Sequence, residues 1–284
     1  MPLPRHVTPA ALLRRLDGIA ASLEGQPGTL LLLGLGSVGA DLRRLDDHSD
    51  LDFFVVVEPA WKAAYVQGVH WLEQVAPLAF HFQNTPDGRK ALFEDGILAE
   101  YAVFTPDELG AATYAAGRVV WARAGQSPLS MREPPVPAPA SLDWQVNEAL
   151  TNLLVGLHRE ARGETLSALR FVQGYAVDRV LNIAALLSGP ETDQRDPFAP
   201  ERRAEVRFPA LVPEFAAMMP GYGHTRAAAR TILNWLRAHV AVPAGLAREL
   251  DRLLADPGRG RHPGRLLRPG ASAARIGVRG RVQG

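Results

Sequence analysis

Two apolar runs, Thr29-Leu30-Leu31-Leu32-Leu33-Gly34 and Phe53-Phe54-Val55-Val56-Val57, read as buried strands. Between them stand Leu35-Gly36-Ser37, twelve further residues, and then Asp50-Leu51-Asp52. A Gly-Ser turn leaving a strand can bring backbone N–H groups against a phosphate, because glycine has no Cβ to collide with it. Two carboxylates two residues apart on a strand face the same way. Phosphate and divalent metal are therefore expected in one place, at the ends of rigid scaffold. Gly34-Leu35-Gly36-Ser37-Val38-Gly39 alone would also suit a structural turn or a dinucleotide fingerprint, but the Asp pair follows too soon for the helix and ribose-binding acid of that fingerprint. The plainer reading makes Asp46, Asp47, Asp50 and Asp52 a solvated acidic loop. Against it, Asp52 is pressed directly onto five apolar residues, where an unpaired carboxylate is costly.

The pattern from Leu35 through Phe53 resembles that of the polymerase-beta-type nucleotidyltransferase superfamily. A second match lies in Glu94-Asp95-Gly96-Ile97-Leu98-Ala99-Glu100-Tyr101-Ala102-Val103-Phe104, where Glu100 interrupts an apolar strand as the superfamily's third acid does. With Gly117 to Trp121 and Asn147 to Leu153, this stretch is similar to antibiotic nucleotidyltransferases, first the lincosamide enzymes and next the aminoglycoside adenylyltransferases. The resemblance implies transfer of AMP from ATP, or another NMP from its triphosphate, to a hydroxyl of a small molecule, with pyrophosphate released. It implies two Mg²⁺ ions held by Asp50, Asp52 and Glu100, and phosphates seated by Gly36 and Ser37. Glu100 is metal ligand, general base, or both. Glu148 and Arg170 are the preferred acceptor contacts among the polar residues of the later helices. Two other readings stay open: modification of a protein or tRNA, and a nucleotide-binding regulator without catalysis.

The chain has no cysteine, which excludes thiolate metal sites and cysteine nucleophiles and leaves carboxylates and histidines as metal ligands, a limit that oxygen-ligated magnesium fits. The formal charge is +1. Seven arginines and one aspartate fall in residues 256–284, so residues 1–255 carry −5. An acidic body argues against nucleic acid as its partner and suits a cationic acceptor. Lysine occurs only at Lys62 and Lys90, against 29 arginines, and this reads as compositional bias. There is no signal-peptide pattern at Met1 to His6 and no apolar run long enough to span a bilayer, so a cytoplasmic enzyme is expected, with no membrane partner.

The expected fold is α/β (α+β): a mixed sheet with helices over residues 1–127, a Pro-rich linker at 128–140, a helical substrate-binding bundle at 141–255 and a basic, disordered tail at 256–284. Five prolines between Pro128 and Pro139 mark the linker. Helices are expected over 8–24 with Thr8 as N-cap, 61–75, 142–162, 165–187, 225–240 and 244–254, and further strands over 78–82, 97–104 and 118–123. Helices are expected on one face of the sheet. A homodimer through a sheet edge or the helical domain fits this plan.

Overall fold

The computed structural model describes residues 7–112, 117–125, 140–188 and 201–255. The expectations for the linker at 128–139 and for the tail at 256–284 lie outside the described residues. The chain divides into two compact units, Met1–Ala138 and Pro139–Gly284.

The first unit opens with α1 (Pro9–Glu24), whose N-cap Thr8 accepts a hydrogen bond from the Ala11 N–H at 3.2 Å. Proline at the first helical position loses no hydrogen bond there. Leu12, Leu16, Ile19 and Leu23 recur at helical spacing and are fully buried. They pack on a six-stranded sheet made of β1 (Thr29–Leu35), β2 (Leu51–Val57), β3 (Leu78–Gln83), β4 (Gly88–Phe93), β5 (Leu98–Phe104) and β6 (Arg118–Ala122). The strand order is β3-β4-β5-β2-β1-β6, with β2 and β5 parallel and every other pair antiparallel. It is a mixed sheet.

Alternation along the strands divides the unit into two layers of core. Leu51, Phe53, Val55 and Val57 of β2 face α1, α2 (Lys62–Gln67) and α3 (His70–Glu73), together with Ala99, Tyr101 and Val103 of β5. Phe53 and Tyr101 stack at 5.2 Å and Trp71 meets the Tyr101 ring edge-on at 5.1 Å, contacts worth about 1 kcal/mol each beyond their burial. Val56, Phe54 and Phe104 point the other way, toward Leu109 of α4 (Pro106–Ala111). Helices thus lie on both faces, because Thr105 and Glu108 form a capping box around Pro106 and start a short helix between the strands expected over 97–104 and 118–123. The single helix expected over 61–75 is interrupted at Gly68, whose extended backbone ends α2. The strand β4 has no counterpart among the expected elements.

The helical unit contains α5 (Leu142–Ala161), α6 (Thr165–Leu169), a π-helical segment (Arg170–Tyr175), α7 (Ala176–Ser188), α8 (Ala204–Arg207), α9 (Val212–Met218), α10 (Thr225–His239) and α11 (Ala244–Ala255). Gly163, at φ +81°, closes the turn after α5. Leu150, Leu153, Val180, Ile183, Ile232, Leu236 and Leu250 form one continuous core. No helix among the described residues is long and apolar enough to cross a membrane.

Candidate functional site

The Gly-Ser turn leaves the end of β1 as a one-turn 3₁₀ helix, Gly36–Val38. Gly36 has φ +54°, in the left-handed region, and an ideal Cβ there would lie 2.4 Å from Oδ2 of Asp52. Backbone conformation and space both demand glycine. Ser37 is nearly buried and its hydroxyl donates to the Asp50 carbonyl oxygen at a long 3.4 Å, which ties the turn to the start of β2. Ahead of β2, Asp46 is spent on the loop itself. Its Oδ1 accepts from the His48 N–H at 2.9 Å and from the Ser49 hydroxyl at 3.1 Å, an Asx turn that delivers Asp50 to the strand. His48 remains exposed beside it.

Asp52 lies in β2 opposite Leu35 of β1 on one side and opposite Glu100 of β5 on the other. Parallel pairing in that register puts Asp52 and Glu100 on the same face of the sheet, turned away from α1. The competing acid Asp95 is drawn elsewhere, into an ion pair with Arg15 of α1 at 2.7 Å. Of the acids around β5, Glu100 is the one in line with Asp52.

Beyond Glu100 the row meets a cation. Lys90 of β4 is paired in register with Glu100, and its Nζ is 2.7 Å from Glu100 Oε2. Asn84 Nδ2 donates to the other carboxylate oxygen at 3.4 Å. Both members of the Lys90–Glu100 pair keep about two-fifths of their side-chain surface in solvent. The hydrogen bond and charge of Glu100 hold the Lys90 ammonium above its ordinary pKa, with Asp50 and Asp52 adding to the same effect. One ammonium therefore feels all three acids. The neighbouring Arg89 points through the sheet to the opposite face, where its guanidinium donates to the Val66 carbonyl at 2.9 Å and to His81 Nδ1 at 2.8 Å. Buried anchoring of Arg89 fixes the side on which Lys90 emerges.

Sequence reasoning missed Lys90 as a site residue because it missed the strand that carries it. Gly88-Arg89-Lys90-Ala91-Leu92-Phe93 places two charges in a row and leaves only three consecutive apolar residues. The available signal was the turn Pro86-Asp87-Gly88 after an apolar strand, a hairpin mark. Both lysines of the chain lie against acids, since Lys62 bridges Asp87 and Glu108 at 2.6 Å each.

The donors around Asp52 are carboxylate oxygens, which suit magnesium in kind. Among the described residues no three His, Asp or Glu side chains converge into a ready-made metal cage. Magnesium does not require one, because it commonly binds through one or two carboxylates and completes its shell with phosphate oxygens and water. Asp50 and Asp52 are the fitting pair, while Glu100 is turned to Lys90.

In the helical unit, a cleft of about 610 Å³ is lined by Leu166, Arg170, Phe171, Tyr175, Glu164 and Tyr222 among others. Glu164 is held by Arg159 at 2.5 Å, whereas Arg170 is exposed with no partner among the described residues. The π-helical turn sets Phe171 and Tyr175 edge to face at 5.3 Å, and the buried Gln173 side chain clasps Gly221 through both its N–H (2.8 Å) and its carbonyl (2.9 Å). That clasp holds the loop that presents Tyr222. Glu148, on α5, does not line this cleft, so the two expected acceptor contacts are not brought together there.

No family model matches the chain, and no curated protein matches it. The structure is similar to an aminoglycoside 6-adenyltransferase from Bacillus subtilis, at 12% identity and TM-score 0.35, covering 86% of this chain and 98% of that one. It is also similar to a nucleotidyltransferase-like protein from Exiguobacterium sibiricum 255-15, at 11% identity and TM-score 0.34, covering 85% of this chain and 74% of that one.

Proposed function

We propose that this chain is a Mg²⁺-dependent nucleotidyltransferase that moves AMP from ATP, or another nucleoside monophosphate from its triphosphate, to a hydroxyl of a small molecule. The observation that carries the reading is the register of Asp52 with Glu100, beside a turn where Gly36 leaves no room for a side chain. The motif order from Leu35 to Glu100 supports it independently.

Asp50 and Asp52 would hold the metal from the head of β2. When bound, Mg²⁺ supplies charge neutralisation of the triphosphate and polarisation of the attacked phosphorus. Gly36 and the turn after it give the leaving phosphates a close approach to backbone N–H groups. Glu100 accepts the proton of the acceptor hydroxyl as the new O–P bond forms. The bond from the α-phosphorus to the bridging oxygen breaks in the same displacement, and pyrophosphate leaves with that electron pair. Lys90 steadies the Glu100 carboxylate from the side opposite Asp52. A carboxylate base placed in this way commonly contributes about 10²- to 10⁴-fold. The acceptor expected from the resemblance is a lincosamide or an aminoglycoside.

The test is pyrophosphate release and product mass with Mg²⁺, each nucleoside triphosphate and a panel of both antibiotic classes, with Asp52→Ala as control. A product heavier by one nucleoside monophosphate residue, absent with Asp52→Ala, is the expected result. No Mg²⁺-dependent pyrophosphate release with any combination would overturn the reading.

A further inference from the structure

The row that begins at Asp52 does not end at Lys90. Register runs from Asp52 to Glu100, from Glu100 to Lys90, and from Lys90 to Phe82 on β3. Four strands thus contribute one side chain each to a single line across the sheet, at about 4.8 Å per strand. The next line on that face carries Leu98, Leu92 and Phe80 in register. The rings of Phe80 and Phe82 lie 5.6 Å apart. They are 57% and 42% exposed, and Leu98 is 37% exposed. Three large apolar side chains are therefore in water beside the three acids and Lys90. Contiguous exposed apolar surface of this kind marks a binding site more often than chance.

We propose that Phe80, Phe82 and Leu98 form a shelf for the apolar face of the acceptor, and that the acceptor is a hydroxylated small molecule with an apolar ring or alkyl face and not a polycation. The inference rests on the nucleotidyl-transfer reading and gives its acceptor a chemical class. Displacement at the α-phosphorus is in line, so the entering hydroxyl and the leaving pyrophosphate lie on opposite sides of it. The Gly36 turn stands on the β1 side of Asp52 and takes the leaving phosphates. Glu100 stands on the β5 side and takes the proton. The body of the acceptor then continues past Glu100 over β4 and β3, where it meets Lys90 and the two phenylalanines. The alkyl stem of Lys90 and the Phe rings accept an apolar surface, and Phe80, Phe82 and Leu98 offer no carboxylate to pair with the ammonium groups of a polycation.

Full-length protein and the double variant Phe80→Ser/Phe82→Ser, both checked for fold by thermal melting, would be titrated by calorimetry with Mg²⁺ and a non-hydrolysable ATP analogue. The acceptor probes are lincomycin, phenyl β-D-glucopyranoside and kanamycin, added to the nucleotide-loaded protein. At least one of the two apolar-faced probes is expected to bind, and to bind about tenfold more weakly to the double variant, the scale of losing one aromatic contact. Nucleotide affinity is expected to be equal in the two proteins. Equal probe affinity in the double variant, binding of kanamycin alone, or no binding by either apolar-faced probe would overturn the shelf. So would a change of oligomeric state in the variant, which would make these residues a subunit interface. In each case intact nucleotide binding leaves the nucleotidyl-transfer reading standing. Failure of the wild-type protein to bind the nucleotide with Mg²⁺ would overturn that reading itself.

Discussion

Gly36 and Asp52 meet so closely that no side chain fits between them: a Cβ on Gly36 would lie 2.4 Å from the Asp52 carboxylate oxygen Oδ2. Glycine at this position also carries φ +54°, which costs an L-residue roughly 1–2 kcal/mol. Gly36→Ala is therefore expected to lower stability by about that amount and to displace the Asp52 carboxylate. A thermal melt and a Mn²⁺ titration of the same variant check both effects, with Mn²⁺ affinity falling along with the melting temperature.

Asp52→Asn and Glu100→Gln separate two roles. Asp52→Asn is expected to abolish nucleotidyl transfer and weaken divalent-metal binding together. Glu100→Gln is expected to lower kcat by about 10²- to 10⁴-fold, the range of a lost general base, while Mn²⁺ affinity changes little. Steady-state kinetics and metal titration on the two variants distinguish them. An equal loss of metal affinity in Glu100→Gln would instead make Glu100 a metal ligand.

Lys90→Met removes the cation that lies 2.7 Å from Glu100 and adds to the field at Asp50 and Asp52. With three acids left to repel one another, Mn²⁺ is expected to bind several-fold more tightly, the modest scale of a partly exposed pair. Its stabilising effect in a thermal melt should grow accordingly. Lys62→Met, which breaks pairs with Asp87 and Glu108, serves as the control and should leave Mn²⁺ affinity unchanged.

Gln173 ties the π-helical turn to the loop at Gly221 through two hydrogen bonds. Gln173→Leu leaves the N–H and the carbonyl of Gly221 without that partner. A loss of roughly 1–3 kcal/mol is expected for each group that stays out of water. Chemical denaturation measures it, and quenching of tyrosine fluorescence by iodide should rise as the Tyr222 loop loosens.

Asp178, at the start of α7, has a pKa raised first by burial and next by the charge of Glu201. A carboxyl raised in the folded state takes up its proton more readily there than in the unfolded chain. Its charged form therefore costs stability above the folded pKa, and the cost disappears as pH falls through that value toward the unfolded 3.8. Asp178→Asn is expected to raise the melting temperature at pH 7 and to have no effect near pH 3. Melts at the two pH values check the sign.

What the sequence determined by itself is what a window of about ten residues can encode. The apolar runs specify β1 and β2, and the single acid in an apolar stretch specifies β5 with Glu100 facing away from Tyr101 and its buried neighbours. The i+2 spacing of Asp50 and Asp52 fixes their common direction before any partner is known. The helical spacing of Leu12, Leu16, Ile19 and Leu23 specifies α1 and its buried face. The absence of cysteine limits the metal's side-chain donors to carboxylates and histidines.

Register was decided only in three dimensions. Nothing local says that Asp52 stands opposite Glu100, or that Lys90 stands opposite Glu100 on its other side. A shift of one residue would send each side chain through the sheet. The strand β4 illustrates the reason: its charges suppress an apolar signal, and it becomes a strand because β3 and β5 hydrogen-bond it from both sides. Asp95 and Glu100 look alike in sequence five residues apart, and the guanidinium of Arg15, eighty positions earlier, separates them by claiming Asp95. Phe80 and Phe82 read as ordinary strand residues until the sheet order leaves β3 at an edge with its rings in water. Local periodicity states which face a residue takes; only long-range pairing states what it faces.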